Sequence, residues 1–243
     1  MQAGPNAVDP YESLNRKVFK FNRAFDATFL KPPAKLYVNV LPAPVRAGVN
    51  NFYNNINMLP TIANDLLQAH GQDAIKDFWR LVINSTLGIG GIFDPASTMS
   101  LPAHSNDLGL TFAQWGDQKS PYIIIPFLGP STIRDGMGLF LDCTLFTPYP
   151  YLGNAGWVFG VLGLRYVDLR SQMFDTERLM AEAIDPYTFI RDAYLQHRNY
   201  LIVGDKPDNG ALYVEEQSGT DSKAPLVVEE PTDQTSTPVP ANA

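Results

Sequence analysis

The sequence predicts an all-α fold, and three observations carry that expectation. Apolar residues recur every three or four positions through most of residues 9–202. The pairs Asp9-Pro10 and Asp185-Pro186 are helix starts, because Asp accepts from first-turn amides and Pro has none to satisfy. Only Pro121-Tyr-Ile-Ile-Ile-Pro126 has strand character, and no segment of similar quality stands ready to pair with it, so it reads as an extended connector.

Taken in order, Leu14, Val18, Phe21, Phe25 and Phe29 form one face of a first helix that Pro32-Pro33 should end. A short segment over 34–41 follows. Pro44 opens a third helix with Val45, Val49, Phe52 and Ile56 on one face, and 59–69 reads as a fourth, stopped by Gly71. Asp73 can cap a fifth, with Ile75, Phe78, Trp79, Val82 and Ile83 as a broad apolar face, ended by Gly88, Gly90 and Gly91. Asp94-Pro95 and Asn106 can each start a short helix. Ser131 is the expected cap of a helix from Thr132 towards Phe146. Asn154 begins what reads as the longest helix, to about Ala183, and Asp185-Pro186 the last, to Ile202.

From Gly204 the composition changes. Residues 204–243 hold five prolines, no Phe, Trp or Ile, and two lysines against eight acids. Such a segment cannot bury enough apolar area to offset its ordering entropy and is expected to be a disordered acidic tail. Residues 1–8 read as a linker. The remaining 1–203 hold 16 Lys+Arg against 17 Asp+Glu, so the acidity belongs to the tail. A basic stripe with base-reading side chains is missing, which argues against nucleic acid as a partner. One cysteine, Cys143, excludes an intrachain disulfide and a cysteine-based zinc finger. His70, His104 and His197 lack ligand spacing among themselves, so no metal site is expected.

Residues 143–164, between Asp142 and Arg165, are uncharged and long enough to span a bilayer of roughly 20 apolar residues, yet Pro148, Pro150, Gly153, Asn154 and Gly156 break them. A bent helix pair or a re-entrant hairpin fits, with Tyr149, Tyr151 and Trp157 at the bend where rings favour a membrane interface. A buried helical hairpin of a soluble core remains the alternative. Residues 10–50 carry seven Lys and Arg against Glu12 and Asp26. A basic helix with a phenylalanine face can lie in a lipid interface or pack its rings on a core.

No catalytic motif stands out. Gly129-Pro-Ser131 lacks the second glycine of a nucleophile elbow, and Gly88-Ile-Gly90-Gly91 is no phosphate loop. His104-Ser105-Asn106-Asp107 reads as turn and cap chemistry. Asp168, Asp175, Glu177 and Glu182 read as a solvated helix face.

Several strings, in order, are specific: DPYESLNRKVFKFN (9–22), PAPVRAGVNNFYNNI (42–56), FWRLVINSTLGIGGIFD (78–94), LTFAQWG (110–116), PYIIIPFLGPSTIRD (121–135) and DPYTFIRDAYLQHR (185–198). The chain resembles the VacJ/MlaA family of Gram-negative outer-membrane lipoproteins from Asp9 to about Ile202. Ser120 departs from it, standing where the family often has glycine. The family's signal peptide and lipidated cysteine are also missing, so this reads as a chain from which the anchor has been removed.

The resemblance implies a ring-like set of amphipathic helices lying in the periplasmic leaflet of the outer membrane around an amphipathic channel. It implies removal of phospholipids misplaced in the outer leaflet and their transfer to a soluble periplasmic carrier, so that lipid asymmetry is kept. Trimeric porins are the implied membrane partners; no cofactor and no enzyme activity are implied. The family's flexible hairpin corresponds to 134–150, with Gly136 and Gly138 as candidate hinges and Leu139, Phe140 and Phe146 as candidate lipid contacts. Asn51 and Phe52 are assigned structural positioning of the ring. Two readings compete with this one: a soluble periplasmic lipid hydrolase using Ser131, Ser105 and His104, and a porin-binding scaffold without a lipid path.

Overall fold

The computed structural model describes residues 8–203, so the expected linker, except its last residue, and the expected acidic tail lie outside the described residues. The fold is helical, with one small hairpin. Helix α1 (Glu12–Phe25) runs through a π-helical turn (Asp26–Leu30) into α2 (Lys31–Val40). Then come α3 (Ala43–Leu67), α4 (Gly71–Thr86), and the short α5 (Pro95–Thr98) and α6 (Leu108–Gln114). Strands β1 (Tyr122–Ile125) and β2 (Gly129–Thr132) precede α7 (Ile133–Leu141) and a second π-helical turn (Asp142–Phe146). A 3₁₀ turn (Tyr149–Tyr151), α8 (Ala155–Gln172), α9 (Phe174–Glu182) and α10 (Pro186–Val203) complete the described residues.

Several expectations need correction. Pro32 and Pro33 restart a helix instead of ending one. The π-helical turn before them already departs from the four-residue bonding pattern, and the prolines fall in the first turn of α2, where a missing N–H costs nothing. Two helices expected over 44–69 are one, with Pro60 inside it. Thr61 Oγ1 donates to the Asn57 carbonyl at 2.9 Å and Asn64 Nδ2 to the Pro60 carbonyl at 2.9 Å, so polar side chains bind carbonyls around the proline. That helix is stopped by Ala69, in the left-handed region at φ 60°, and not by Gly71, which begins α4. Asp73 therefore lies inside α4 rather than capping it. The helix expected through Ala183 breaks at Met173. Thr132, not Ser131, caps α7, accepting from the Asp135 amide, and Asp107, not Asn106, caps α6.

The strand does have a partner. Tyr122 pairs with Thr132 and Ile125 with Gly129 in an antiparallel hairpin. Its other edge is satisfied by side chains of α1. Asn15 accepts from the Ile124 amide at 2.9 Å and donates to the Tyr122 carbonyl at 3.2 Å. Asn22, two turns on, donates to the Ile125 carbonyl and accepts from the Phe127 amide. The two amides thus take the place of a third strand. Asp9 does not cap α1: it is buried, accepting from Asn15 Nδ2 at 2.8 Å and from the Tyr187 hydroxyl.

Contacts between elements close into a circuit, the basis of a ring-like arrangement. Helix α1 packs on β1, β2 on α10, α10 on α6, α6 on α3, α3 on α8 and α8 on α2, which returns through the first π-helical turn to α1. The apolar core within it is small: Tyr122, Ile124, Tyr187 and Leu195, with Val18, Phe19 and Tyr194 against them. Among the described residues, polar and charged residues outnumber apolar ones among the buried side chains, while many large apolar residues are exposed. On α4 the buried positions are Ala74, Asp77, Arg80 and Asn84, and Phe78 and Trp79 are exposed. On α1 the buried position is Asn15, with Leu14 and Phe21 outside, as is Phe29 in the π-helical turn that follows. No helix among the described residues is long and apolar enough to cross a membrane. Exposed rings include Tyr151 in the 3₁₀ turn before α8 and Trp157 in the first turn of α8.

Candidate functional site: an amphipathic cavity

The first π-helical turn, with the end of α1, forms one wall of a cavity of about 440 Å³ whose other walls are the hairpin loop, α8, α9 and part of α10. Phe19, Phe25, Leu30, Phe127, Leu169, Met173 and Met180 line most of it. Phe127, at φ 66°, is held there by edge-on contacts with Phe21 and Phe25 at 5.2 and 4.8 Å and by the Asn22 amide.

A charged patch stands in the same wall. Arg170 grips Asp26 with two parallel bonds of 2.6 and 2.9 Å and donates to Glu177 at 2.7 Å. Lys31 also pairs with Glu177. Burial alone would raise the Glu177 carboxyl, but the bonds from Lys31 and Arg170 hold it below its ordinary range. Burial likewise opposes the Arg170 charge, and its two carboxylate partners more than restore it. One guanidinium nitrogen, Nη1, is buried without a hydrogen-bond partner among the described residues. An apolar volume with cations set into one wall can hold a molecule with long tails and an anionic head.

Sequence reasoning missed this site. Glu177 was read as part of a solvated face, yet it is half-buried in two ion pairs; Asp168, read the same way, is 2% exposed and accepts from the Tyr37 hydroxyl. Asp175 and Glu182 are exposed. A usable signal existed in Arg170 and Glu177, seven residues apart on what reads as one helix, with no acid three or four residues from the arginine to pair with it on the helix.

The residues singled out from the family likeness lie elsewhere. Gly136 and Gly138 are inside α7. A Cβ on Gly138 would fall 2.4 Å from the Gly109 amide nitrogen, so close packing of α6 on α7 is the physical need that glycine meets there. A Cβ on Gly136 would come tightest on the end of the Ile125 side chain, at 3.0 Å, with Ser131 Oγ and Ile123 Cδ1 at ordinary contact distance. Leu139 and Phe140 are exposed, Phe146 is half-buried, and none of the three lines the cavity. Asn51 donates to the Ile92 carbonyl at 3.1 Å, tying α3 to the loop after α4, and borders a second, more polar cavity of about 260 Å³. Phe52 is exposed, edge-on to Tyr53.

Asp142, where α7 passes into its π-helical turn, accepts from Asn64 Nδ2 and from the Leu108 amide, both at 2.9 Å. Burial pushes its carboxyl up from 3.8 to about 6. Between those values the folded chain holds a proton that the unfolded chain has released. The contribution of this group therefore favours folding at low pH and is withdrawn as pH rises towards 6. Relative to Asp142→Asn, the wild type should lose about 2 kcal/mol of stability between pH 4 and pH 7, read by urea unfolding in detergent.

A family model described as MlaA lipoprotein matches residues 7–201. The chain is 35% identical over 191 residues to an uncharacterized protein of Rickettsia bellii, covering 78% of this chain and 75% of that one. It is 30% identical over 202 residues to the intermembrane phospholipid transport system lipoprotein MlaA of Escherichia coli, covering 81% and 79%. A chain solved in work on the structural basis for maintenance of bacterial outer membrane lipid asymmetry matches with a TM-score of 0.70 at 30% identity, covering 80% of this chain and 98% of that one.

Proposed function

Because the chain belongs to the MlaA lipoprotein family, we propose that it is the outer-membrane component of a phospholipid transport pathway. It takes up phospholipid misplaced in the outer leaflet, carries it along the amphipathic cavity and passes it to a periplasmic carrier. The observation that carries this reading is the cavity itself: an apolar volume with Arg170 and Lys31 in its wall, inside a molecule that buries mostly polar side chains and exposes many large apolar ones. Acyl tails fit along Phe19, Phe25, Leu169 and Met173. The phosphate is met by Arg170 and Lys31, which line the cavity, since an unpartnered buried phosphate would be costly. No covalent step is needed.

The exposed aromatic and aliphatic surface, Leu139 and Phe140 included, sits among acyl chains of the periplasmic leaflet, and trimeric porins border it. The hydrolase alternative lacks its nucleophile–base pair: Ser131 Oγ donates to the Thr132 carbonyl, and among the described residues no serine hydroxyl is hydrogen-bonded to His104, whose Nδ1 meets Asp77. In the test, a photoreactive residue replaces Met173 in one variant and Lys119, on the loop before β1, in another, each in chain inserted in outer-membrane lipid. Phospholipid adducts are expected at 173. A second variant, Arg170→Gln, should weaken phospholipid capture by about 1.5–3 kcal/mol, the worth of a charge-assisted hydrogen bond, or roughly 10- to 100-fold. Equal adducts at 173 and 119, unchanged by Arg170→Gln, would remove the cavity from the pathway.

A further inference from the structure

Away from the amphipathic cavity, we propose that Asp65, Asp77 and His104 form a site for a divalent transition-metal ion, zinc in the first instance. The three come from separate segments: the last turns of α3, the middle of α4, and the loop between α5 and α6. One ligand atom from each lies within 4.8 Å of the others. His104 Nδ1 stands 2.9 Å from Asp77 Oδ2 and 3.7 Å from Asp65 Oδ2. Ligand atoms of a tetrahedral zinc ion with bonds of about 2.0–2.1 Å are about 3.3 Å apart, midway between those distances.

A cluster of this kind is commonly only a set of ion pairs. What points to a ligand is Asp65. Its side chain is fully buried, its Oδ1 accepts from Asn106 Nδ2 at 2.8 Å, and its Oδ2 faces the cluster without a hydrogen-bond partner among the described residues. Asp77 is equally buried. The neighbouring cations on α4 are committed elsewhere, Lys76 to Asp73 and Arg80 to Asp94. Two buried carboxylates then share one imidazole, and a dication would balance them.

The donor set selects among metals. One imidazole and two carboxylates suit zinc, whereas magnesium and calcium require more oxygens. The side chain of His104 is 44% exposed and borders the polar cavity of about 260 Å³, which leaves a fourth position open to water and a route for the ion. Asn106, bonded to Asp65, fixes the orientation of that carboxylate. An ion here would staple the α3–α4 pair to the segment that starts α6. Spacing along the chain did not expose the site because each ligand comes from a different segment and only one is a histidine.

The test uses the full chain, stripped with chelator and titrated calorimetrically with zinc chloride, with magnesium chloride as the comparison. One equivalent of zinc is expected to bind, and Tm to rise by about 5–10 °C at one hundred times Kd. Asp65→Asn and His104→Gln should each abolish both effects. His104→Gln, at a half-exposed position, keeps the fold and so decides the matter if Asp65→Asn does not fold. X-ray absorption of the loaded protein should show one imidazole with oxygen neighbours. Failure of zinc to bind would overturn the proposal and leave a protonated His104 bridging two carboxylates. Binding that survives His104→Gln would equally overturn it, placing the ion on His70, His197 or another surface group.

Discussion

Arg198→Met is expected to lower the unfolding free energy by about 3 kcal/mol, towards the low end of what removing one partner of a buried ion pair costs. Arg198, on α10, holds Asp107 with two bonds of 2.7 and 3.0 Å and Asp135 with one of 2.8 Å. Asp107 caps α6 and Asp135 lies in the first turn of α7, so one guanidinium ties three helices. Methionine fills the volume of the stem but leaves both carboxylates without that partner. Asp107 is partly exposed and can hydrate, so Asp135 carries most of the cost; Arg134 and the Tyr194 hydroxyl still hold it, which limits the loss.

The pH dependence of that loss follows from the same contacts. Burial would raise the Asp135 carboxyl, but Arg198, Tyr194 and Arg134 keep it below its ordinary range. A carboxyl lowered on folding stabilises above its unfolded pKa, and that contribution fades as pH falls. Without Arg198 the carboxyl can take a proton more readily. The gap between wild type and variant should therefore narrow as pH falls below about 4, in urea unfolding at a series of pH values. A gap independent of pH would mean that lost packing, and not the charge, is responsible.

Gly138→Ala should cost about 2–3 kcal/mol, the upper part of the range for overpacking, because the new methyl meets backbone and not a movable side chain. It would lie 2.4 Å from the Gly109 nitrogen and 2.9 Å from the Leu108 carbonyl carbon, so α6 and α7 must separate. Gly136→Ala, two residues away, meets only side-chain atoms, the tightest being the movable tip of Ile125. There the gain in helix propensity, up to about 1 kcal/mol, offsets the contact. Thermal unfolding of the two variants separates packing from hinge motion. If both were as stable as wild type and both impaired phospholipid transfer, backbone freedom would be the property that matters at these positions.

Much of the secondary structure was legible. The Asp94-Pro95 and Asp185-Pro186 starts and the Asn154 cap stand where local chemistry placed them, with Asp185 Oδ1 accepting from the Tyr187 amide. Errors came where a second element supplied what the chain lacks locally. Pro32-Pro33 looked like a stop because a π-helical turn cannot be read from periodicity. The strand at Tyr122 looked unpartnered because the segment opposite it, Gly-Pro-Ser-Thr, has little strand character, and its outer edge is bonded by two asparagines more than a hundred residues earlier in the chain.

By itself the sequence determined that the chain is mainly helical, that its longest uncharged stretch is broken by proline and glycine, and which family the chain resembles. All three follow from the order of residue types along the chain. Only the tertiary structure decided which way the helices face. A period of 3.6 residues locates an apolar stripe and a polar stripe but carries no sign: the same pattern serves a helix in water, with Phe inward, and one among acyl chains, with Phe outward. Here Asn15, Asn64, Asp77 and Asn84 are inside and Phe21, Phe78 and Trp79 outside, because groups outside each residue's own helix supply these buried polar side chains with hydrogen bonds. The cavity beside Arg170 and the cluster at His104 depend on that inversion, since each gathers charges from segments that meet only when the polar faces turn inward.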